Sequence, residues 1–309
     1  MHQLTIQLVT WNSAAALRRS LPTLQRVDPS IARIRVIDNA SADDSLALVQ
    51  AALPSADIVR LPENTGFAGG HNKGFRRCTT PFVLVLNPDV QVQWGGIAAL
   101  LKHLANPAVG AVQGKLYRQG LIIDSAGVML TAAFNGRERG AGVADTGQYS
   151  EVAGIDGVTG ACALYRLSAL QAVAHPKGEI FDEDFWAYKE DVDLSWRLRR
   201  AGWKLLYVPV TVGTHPRSLR SESNLGWPAS GAGMWRRLKD TRTRYSFRNW
   251  LWTIVKNATA ADMLIHGPAI AARGLVLAGL SVLYWPAARA WSEAIAGMPA
   301  MVAKRHGSA

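Results

Sequence analysis

Six carboxylates fall between Asp182 and Asp193, in the stretch FDEDFWAYKEDVDLSWRLRRAGW of a 309-residue chain whose formal net charge is +11. The spacing predicts a helix that begins near Lys189. Glu190, Asp191 and Asp193 then occupy its first turn, where the helix dipole favours negative charge. Asp193 and Arg197 are spaced i,i+4 for an ion pair, and Leu194 and Leu198 share an apolar stripe. This accounts for Asp193 structurally. Glu190 and Asp191 follow a run of aromatics that would exclude water, and an acid at a helix N-terminus suits a general base. Asp182, Glu183 and Asp184 have no assigned role; they face either a ligand's hydroxyls or only solvent.

Other polar residues stand where strand-like runs end. Asp38 closes ARIRVIDN; a carboxylate there can accept from a pyrimidine imide or ribose hydroxyls, or it can shape the turn with Asn39 and Ser41. Asp89, in LNPDV, can ligate a divalent cation through oxygen, or it is a solvated acid after an Asn-Pro turn. His215 follows KLLYVPVTVGT and is either structural or a metal ligand. ENTGFAGGHNKG carries glycines at 66, 69, 70 and 74. It lacks both the GxGxxG dinucleotide fingerprint and the P-loop spacing, so glycines that admit a phosphate and glycines that merely turn the chain are both consistent with it.

The elements that must position these groups alternate. Strands are expected at Leu4–Trp11, Ala32–Asn39, 56–62 and 81–90, and helices at Ala14–Val27, Ala42–Leu53 and Gly95–Leu104. Such alternation predicts an α/β fold with a mostly parallel sheet flanked by helices, which binds ligands at the carboxyl ends of its strands. The pattern loosens after Gly110, and 130–160 reads as a Gly-rich loop or irregular sheet edge. Strands return at Gly160–Arg166 and Lys204–His215. Residues 217–233 read as a Ser/Gly/Arg-rich linker.

Composition fits a globular chain, with 49% apolar and 18% charged residues. Cys78 and Cys162 form no pattern and read as buried thiols in a reducing compartment. The N-terminus reads directly as a strand and not as a signal peptide, which places the chain in the cytoplasm. From Met234 onward, eleven Lys/Arg face three Asp/Glu, leaving eight of the net positive charges in the tail. A basic tail rich in Trp, Leu, Ile and Ala points to an anionic partner. Its longest uncharged stretch, Gly274–Arg289, has an apolar core of about a dozen residues broken by Pro286, short of the ~20 that cross a bilayer. It reads either as a helix lying on a membrane surface or as a helical subdomain packed on the body or on a second copy in a homo-oligomer. No nucleic-acid recognition motif is visible.

Taken in order, VTWNS, DNAS, ENTGFAGGHNKG, LNPDV, GACALYR and FWAYKEDVDLSWRLRRAGW resemble the family 2 glycosyltransferases of the GT-A fold. The resemblance is greatest to the bacterial rhamnosyltransferase-like branch that builds cell-wall and O-antigen glycans. It covers Leu4 to His215 and implies a GT-A catalytic domain over 1–215, with a nucleotide-binding half (1–110) and an acceptor half (111–215). A linker (216–233) and a basic helical extension (234–309) would follow. The resemblance also implies a nucleotide-sugar donor, Mg²⁺ or Mn²⁺, and inversion at the anomeric carbon. By the same resemblance Asp191 is the catalytic base with Glu190 beside it, and Asp38 binds the base of the nucleotide. Thr10, Trp11, Asn12, Asn64, Gly66, Asn72, Asn87 and Asp89 would line the donor, with Asp89 and His215 on the metal. The first acid of the family's DxD motif is Asn87 here; Asn-Pro-Asp occurs in this branch, and metal affinity is expected to be lower. The implied reaction transfers L-rhamnose from dTDP-rhamnose to a glycan or polyprenyl-diphosphate-linked acceptor at the inner face of the plasma membrane. The alternatives are a UDP-sugar donor such as UDP-galactofuranose or UDP-GlcNAc, and a non-catalytic nucleotide- or glycan-binding homologue.

Overall fold

A computed structural model describes residues 2–217, 241–283 and 285–306. Most of the predicted linker lies outside these residues. The first elements are β1 (Leu4–Thr10), α1 (Ala14–Leu24), β2 (Ala32–Asp38), α2 (Ser45–Ala52), β3 (Asp57–Arg60) and α3 (Gly66–Phe75). Then come β4 (Phe82–Leu86), β5 (Gln91–Val92), α4 (Trp94–His103), β6 (Val109–Tyr117), β7 (Ile123–Ser125), β8 (Val128–Leu130) and β9 (Gly136–Glu138). Next are β10 (Ala153–Gly154), β11 (Cys162–Arg166), α5 (Leu167–Ala172), α6 (Glu190–Arg200) and β12 (Lys204–Thr214). Three helices end the chain: α7 (Thr241–Asn257), α8 (Ala260–Leu283) and α9 (Trp285–His306).

One sheet runs β10-β12-β6-β11-β4-β1-β2-β3, with β5 on β12 and β7 on β6. The β3-β2-β1-β4 portion is parallel. β11 runs antiparallel between β4 and β6, and β12 pairs parallel with β6. The strands are apolar because both faces are covered. Alternate side chains go to opposite cores. Leu84 and Leu86 of β4 pack with Leu17, Leu21, Val49, Ile97 and Leu100 of α1, α2 and α4. Val83 and Val85 pack with Phe75, Leu170, Leu194 and Leu198 of α3, α5 and α6.

Two findings depart from the sequence reading. The chain does not loosen after Gly110: β6 is a nine-residue central strand, buried along nearly its whole length. Its pattern is obscured by buried Gln113 and Lys115 and by Gly114, where a Cβ would stand 2.3 Å from Val212 Cγ1 of β12. The second is at 130–160, where of the two readings the irregular sheet edge holds and the loop does not: β10 is the edge strand beside β12, and β9 pairs with β8 in a small second sheet.

The tail is docked. Trp250 of α7 is 1% exposed, packs with Trp196 of α6 and Phe134, and donates its indole N–H to the Ala133 carbonyl at 2.7 Å. Burying a ring of that size contributes on the order of 4–6 kcal/mol before the entropy of ordering it. Phe185 meets Trp252 and Met301 from α7 and α9. α8 is a 24-residue helix, longer than the uncharged stretch implied, because Asp262 and Arg273 lie within it without ending it. Its segment Ala260–Gly279 is long and apolar enough to cross a membrane by length and composition, and none of that segment is buried.

Candidate active site

The carboxyl ends of β1, β2, β4 and β12, together with the N-terminus of α6, carry the polar groups. Thr10 and Asp38 are in register on β1 and β2, and both are buried. The Asn39 N–H donates to the Thr10 carbonyl at 2.8 Å, joining the two strand ends. Asp38 accepts from the Ser41 N–H at 3.2 Å, and Arg60 approaches it at 4.0 Å. Asn12 has φ +47, and its Oδ1 accepts from the Ala42 N–H at 2.8 Å. It therefore shapes the mouth, while Trp11 next to it is half exposed, with its ring available to a ligand.

Asn39 is the hub of the glycine-rich turn. Its amide donates to Asn64 Oδ1 (3.0 Å) and to the Gly66 carbonyl (2.9 Å), and its Oδ1 accepts from the Thr65 N–H (2.9 Å). Gly66 has φ +72, and a Cβ there would stand 2.4 Å from the Trp186 carbonyl oxygen. The position requires glycine on both counts. Asn72, expected at the donor, is used otherwise. Its Nδ2 donates to the Phe181 carbonyl (2.7 Å) and Glu183 (3.0 Å), and its Oδ1 accepts from the N–H groups of Ile180 (3.1 Å) and Phe181 (3.0 Å). Two donors and two lone pairs are all engaged, so Asn72 ties α3 to the acidic segment and has no position left for a nucleotide.

Asp89 follows the Asn87-Pro88 turn and is buried; Asn87 is half buried, with its N–H on the Ala161 carbonyl at 2.8 Å. His215 Nε2 lies 3.2 Å from Asp89 Oδ1, and its Nδ1 lies 2.8 Å from Asp124 Oδ2. Burial alone would lower the ring's pKa, but the bonds to Asp124 and Asp89 outweigh it and raise it to about 9. Asp124 also receives Arg118 Nε (2.9 Å) and Arg217 Nε (2.5 Å). As it stands this is an imidazolium–carboxylate pair; a divalent cation would take the place of the Nε2 proton between His215 and Asp89, with Asp124 keeping the Nδ1–H and steadying the ring from behind. Asp124 lies behind the ring, and among the described residues no group of three or more His, Cys, Asp or Glu is arranged to hold a metal ion, so a cation at Asp89 and His215 would complete its shell with substrate oxygens and water.

Glu190 and Asp191 open α6 as expected, with Lys189 as N-cap in a left-handed conformation. Asp191 Oδ2 accepts from the Gly160 N–H at 2.9 Å and Oδ1 from the Val192 N–H at 2.8 Å. Both oxygens are oriented, and each keeps a lone pair for an incoming proton. Glu190 differs. It is buried, its Oε2 has no hydrogen-bond partner among the described residues, and burial together with the charge of Asp191 pushes its carboxyl well above the ordinary range. Two adjacent carboxyls thus stand in contrasting environments, Asp191 half buried with both oxygens hydrogen-bonded and Glu190 buried with Oε2 unpartnered among the described residues.

The family profile described as Glycosyl transferase family 2 matches residues 5–174, more than half of the chain. The chain belongs to glycosyl transferase family 2. This family 2 chain is 29% identical over 218 residues to the pre-mycofactocin glycosyltransferase of Mycobacterium tuberculosis, covering 68% of its own length and 42% of that protein's. It thus spans about two fifths of that relative. It is 28% identical over 240 residues to the N-acetylglucosaminyl-diphospho-decaprenol L-rhamnosyltransferase of the same organism, covering 70% and 76% of the two chains. Among solved structures it resembles a mannosyltransferase from Pyrobaculum calidifontis in complex with GDP-Man and Mn²⁺ (TM-score 0.56, 16% identity, 98% and 86% coverage). It also resembles S. aureus TarS 1–349 in complex with UDP-GlcNAc (TM-score 0.52, 14% identity, 86% and 70% coverage). The fold is GT-A, as the sequence implied.

Several residues of this family 2 site escaped the sequence reading. Asp124 and Glu138 come from β7 and β9. Glu138 accepts from Ser125 Oγ (2.5 Å) and Thr159 Oγ1 (2.9 Å), and burial pushes its carboxyl up to about 7. Asp124 had a signal: a carboxylate inside the apolar run LIIDSAG is seldom solvated. Glu138 had none beyond its place in a stretch read as irregular; Gly160 opens the GACALYR strand, but nothing local showed its N–H reaching Asp191. The tail's share in the site was equally hidden. Lys256 of α7 bonds Asp182 (2.5 Å) and Asp193 (3.0 Å), and Lys304 of α9 bonds Asp182 and Asp184. Asp193 also holds Arg197 at 3.0 Å, as its spacing implied. The acidic stretch and part of the basic tail are therefore each other's counter-ions.

Proposed function

We propose that this chain is a metal-dependent inverting glycosyltransferase that moves L-rhamnose from dTDP-rhamnose to a hydroxyl of a cell-surface glycan or polyprenyl-diphosphate-linked acceptor. One observation carries the reading: Asp89 and His215 meet at 3.2 Å at the ends of β4 and β12, with a half-buried, doubly oriented Asp191 opening α6. Asp191 takes the acceptor hydroxyl proton as that oxygen attacks the anomeric carbon. The bond from this carbon to the diphosphate breaks, and its electron pair leaves with the diphosphate oxygen. One displacement by one base inverts the centre; a hydrolase would need a carboxylate pair. Asp89 and His215 would hold a Mg²⁺ or Mn²⁺ ion, which supplies neutralising charge for the nucleoside diphosphate. Asp38, Thr10, Trp11 and the Asn64–Gly66 turn receive the nucleotide. The 28% identical rhamnosyltransferase favours rhamnose; a UDP-sugar is the runner-up. The decisive experiment screens dTDP- and UDP-sugars with Mg²⁺ or Mn²⁺ for thermal stabilisation, then for release of nucleoside diphosphate. Stabilisation by dTDP-rhamnose without turnover would favour a non-catalytic homologue, for which Asn87 is the sequence support.

The exposed apolar side chains of α8, among them Leu264, Ile265 and Leu275, support a place on the inner face of the plasma membrane beside a lipid-linked acceptor. Alkaline carbonate extraction releases a helix that lies on the surface and leaves a spanning one in the pellet.

A further inference from the structure

Three residues just before Asp191 have positive φ without being glycine: Trp186 (+61), Tyr188 (+70) and Lys189 (+71). Such conformations persist only where surrounding structure over-determines them. The carbonyls of this segment find their partners in the tail. Asn249 Nδ2 lies 2.9, 2.9 and 2.6 Å from the carbonyl oxygens of Phe185, Ala187 and Tyr188. Arg248 Nη2 donates to the carbonyls of Asp184 and Phe185, both at 3.0 Å, while its Nε donates to Asn249 Oδ1 at 2.9 Å. The Arg248 guanidinium lies over the Trp252 ring at 4.1 Å, and Tyr245 stacks on Trp186 at 5.3 Å. Asn249 is fully buried, so this is a built cradle and not a surface contact. From the other side, the Trp186 carbonyl accepts from the Ala68 N–H at 3.1 Å, and Gly66 leaves room for it. The segment is clamped between the donor-side turn and α7.

We propose that α7 belongs to the catalytic apparatus, with Asn249 a positioning residue that acts through Asp191 by fixing the left-handed run from which α6 starts. This rests on Asp191 being the base, as inferred above. Misplacing a base by about 1 Å can lower a rate about 100-fold.

The test is a double-mutant cycle in the full chain with dTDP-rhamnose and Mg²⁺, read as nucleoside diphosphate release, with donor affinity measured by calorimetry using dTDP. Asn249→Leu is expected to lower kcat about 10- to 100-fold with donor KM and dTDP affinity unchanged. In an Asp191→Asn background it should cost nothing further, because the group it positions is gone. Unchanged kcat in a folded Asn249→Leu protein, or equal losses in both backgrounds, would overturn the proposal. Should that variant fail to fold, Tyr245→Ala, which removes the half-buried ring on Trp186, carries the same expectations and the same refutation. Full activity of Asp191→Asn alone would instead sink the base assignment, a result distinguishable from failure of the positioning role.

Discussion

Lys256, near the end of α7, sets its ammonium 2.5 Å from the Asp182 carboxylate, and both groups are almost wholly buried. Burial pushes the Asp182 carboxyl up, but the charges of Lys256 and Lys304 and the hydrogen bond from Lys256 together outweigh it and hold the carboxyl below its ordinary range. Deleting one partner of an isolated buried pair costs about 3–5 kcal/mol, but Lys304 still pairs with Asp182 and Arg197 with Asp193 when Lys256 is gone. Lys256→Met should therefore lower unfolding free energy in urea denaturation by less than that full penalty. The loss should exceed that from Arg18→Met, since Arg18 pairs with Asp44 at the surface.

Replacing Asp191 by Asn keeps shape and removes the proton acceptor. Transfer should fall about 10²- to 10⁴-fold, with dTDP affinity by calorimetry close to wild type. Near-normal turnover would refute the base.

Asp89→Ala and His215→Ala should each weaken dTDP binding when Mg²⁺ is present and change it little in EDTA. Equal loss in both conditions would argue for a purely structural pair.

Gly66→Ala meets both a left-handed backbone and the Trp186 carbonyl. A shifted turn would disturb the donor side and the segment before Asp191 together. Donor KM should rise and kcat fall in the same variant, and a change in KM alone would contradict the shared clamp.

His71 gives the fold an acid sensitivity. It is fully buried on α3 among Phe67, Phe75 and Phe181, and burial holds its pKa at about 3 against an ordinary 6.5. Between those values the unfolded chain binds a proton that the folded chain does not. Stability is complete above pH 6.5 and falls as pH drops below it, by about 1.4 kcal/mol per unit for this group. Urea midpoints at pH 6.5 and 5.5 should show that His71→Gln loses less on acidification than the parent.

The strands through β4, the helices between them and the polar residues at the strand ends were legible in the sequence. Each is a local pattern: an apolar run, a turn, a helical stripe. Asp89, Asp191 and His215 could be named because each stands at such an end. What they touch was decided by tertiary structure. His215 meets Asp124 across 91 residues, Lys256 meets Asp182 across 74, and Lys304 meets Asp182 across 122. Asn72 was misread for the same reason, its four hydrogen bonds reaching residues more than a hundred positions away. The sequence determined which groups are chemically able and which element carries each one. Only the folded chain decided that the acids at 182 and 193 are neutralised by the tail while Asp191 stays accessible, because burial and charge pairing between distant segments leave no local periodicity to read.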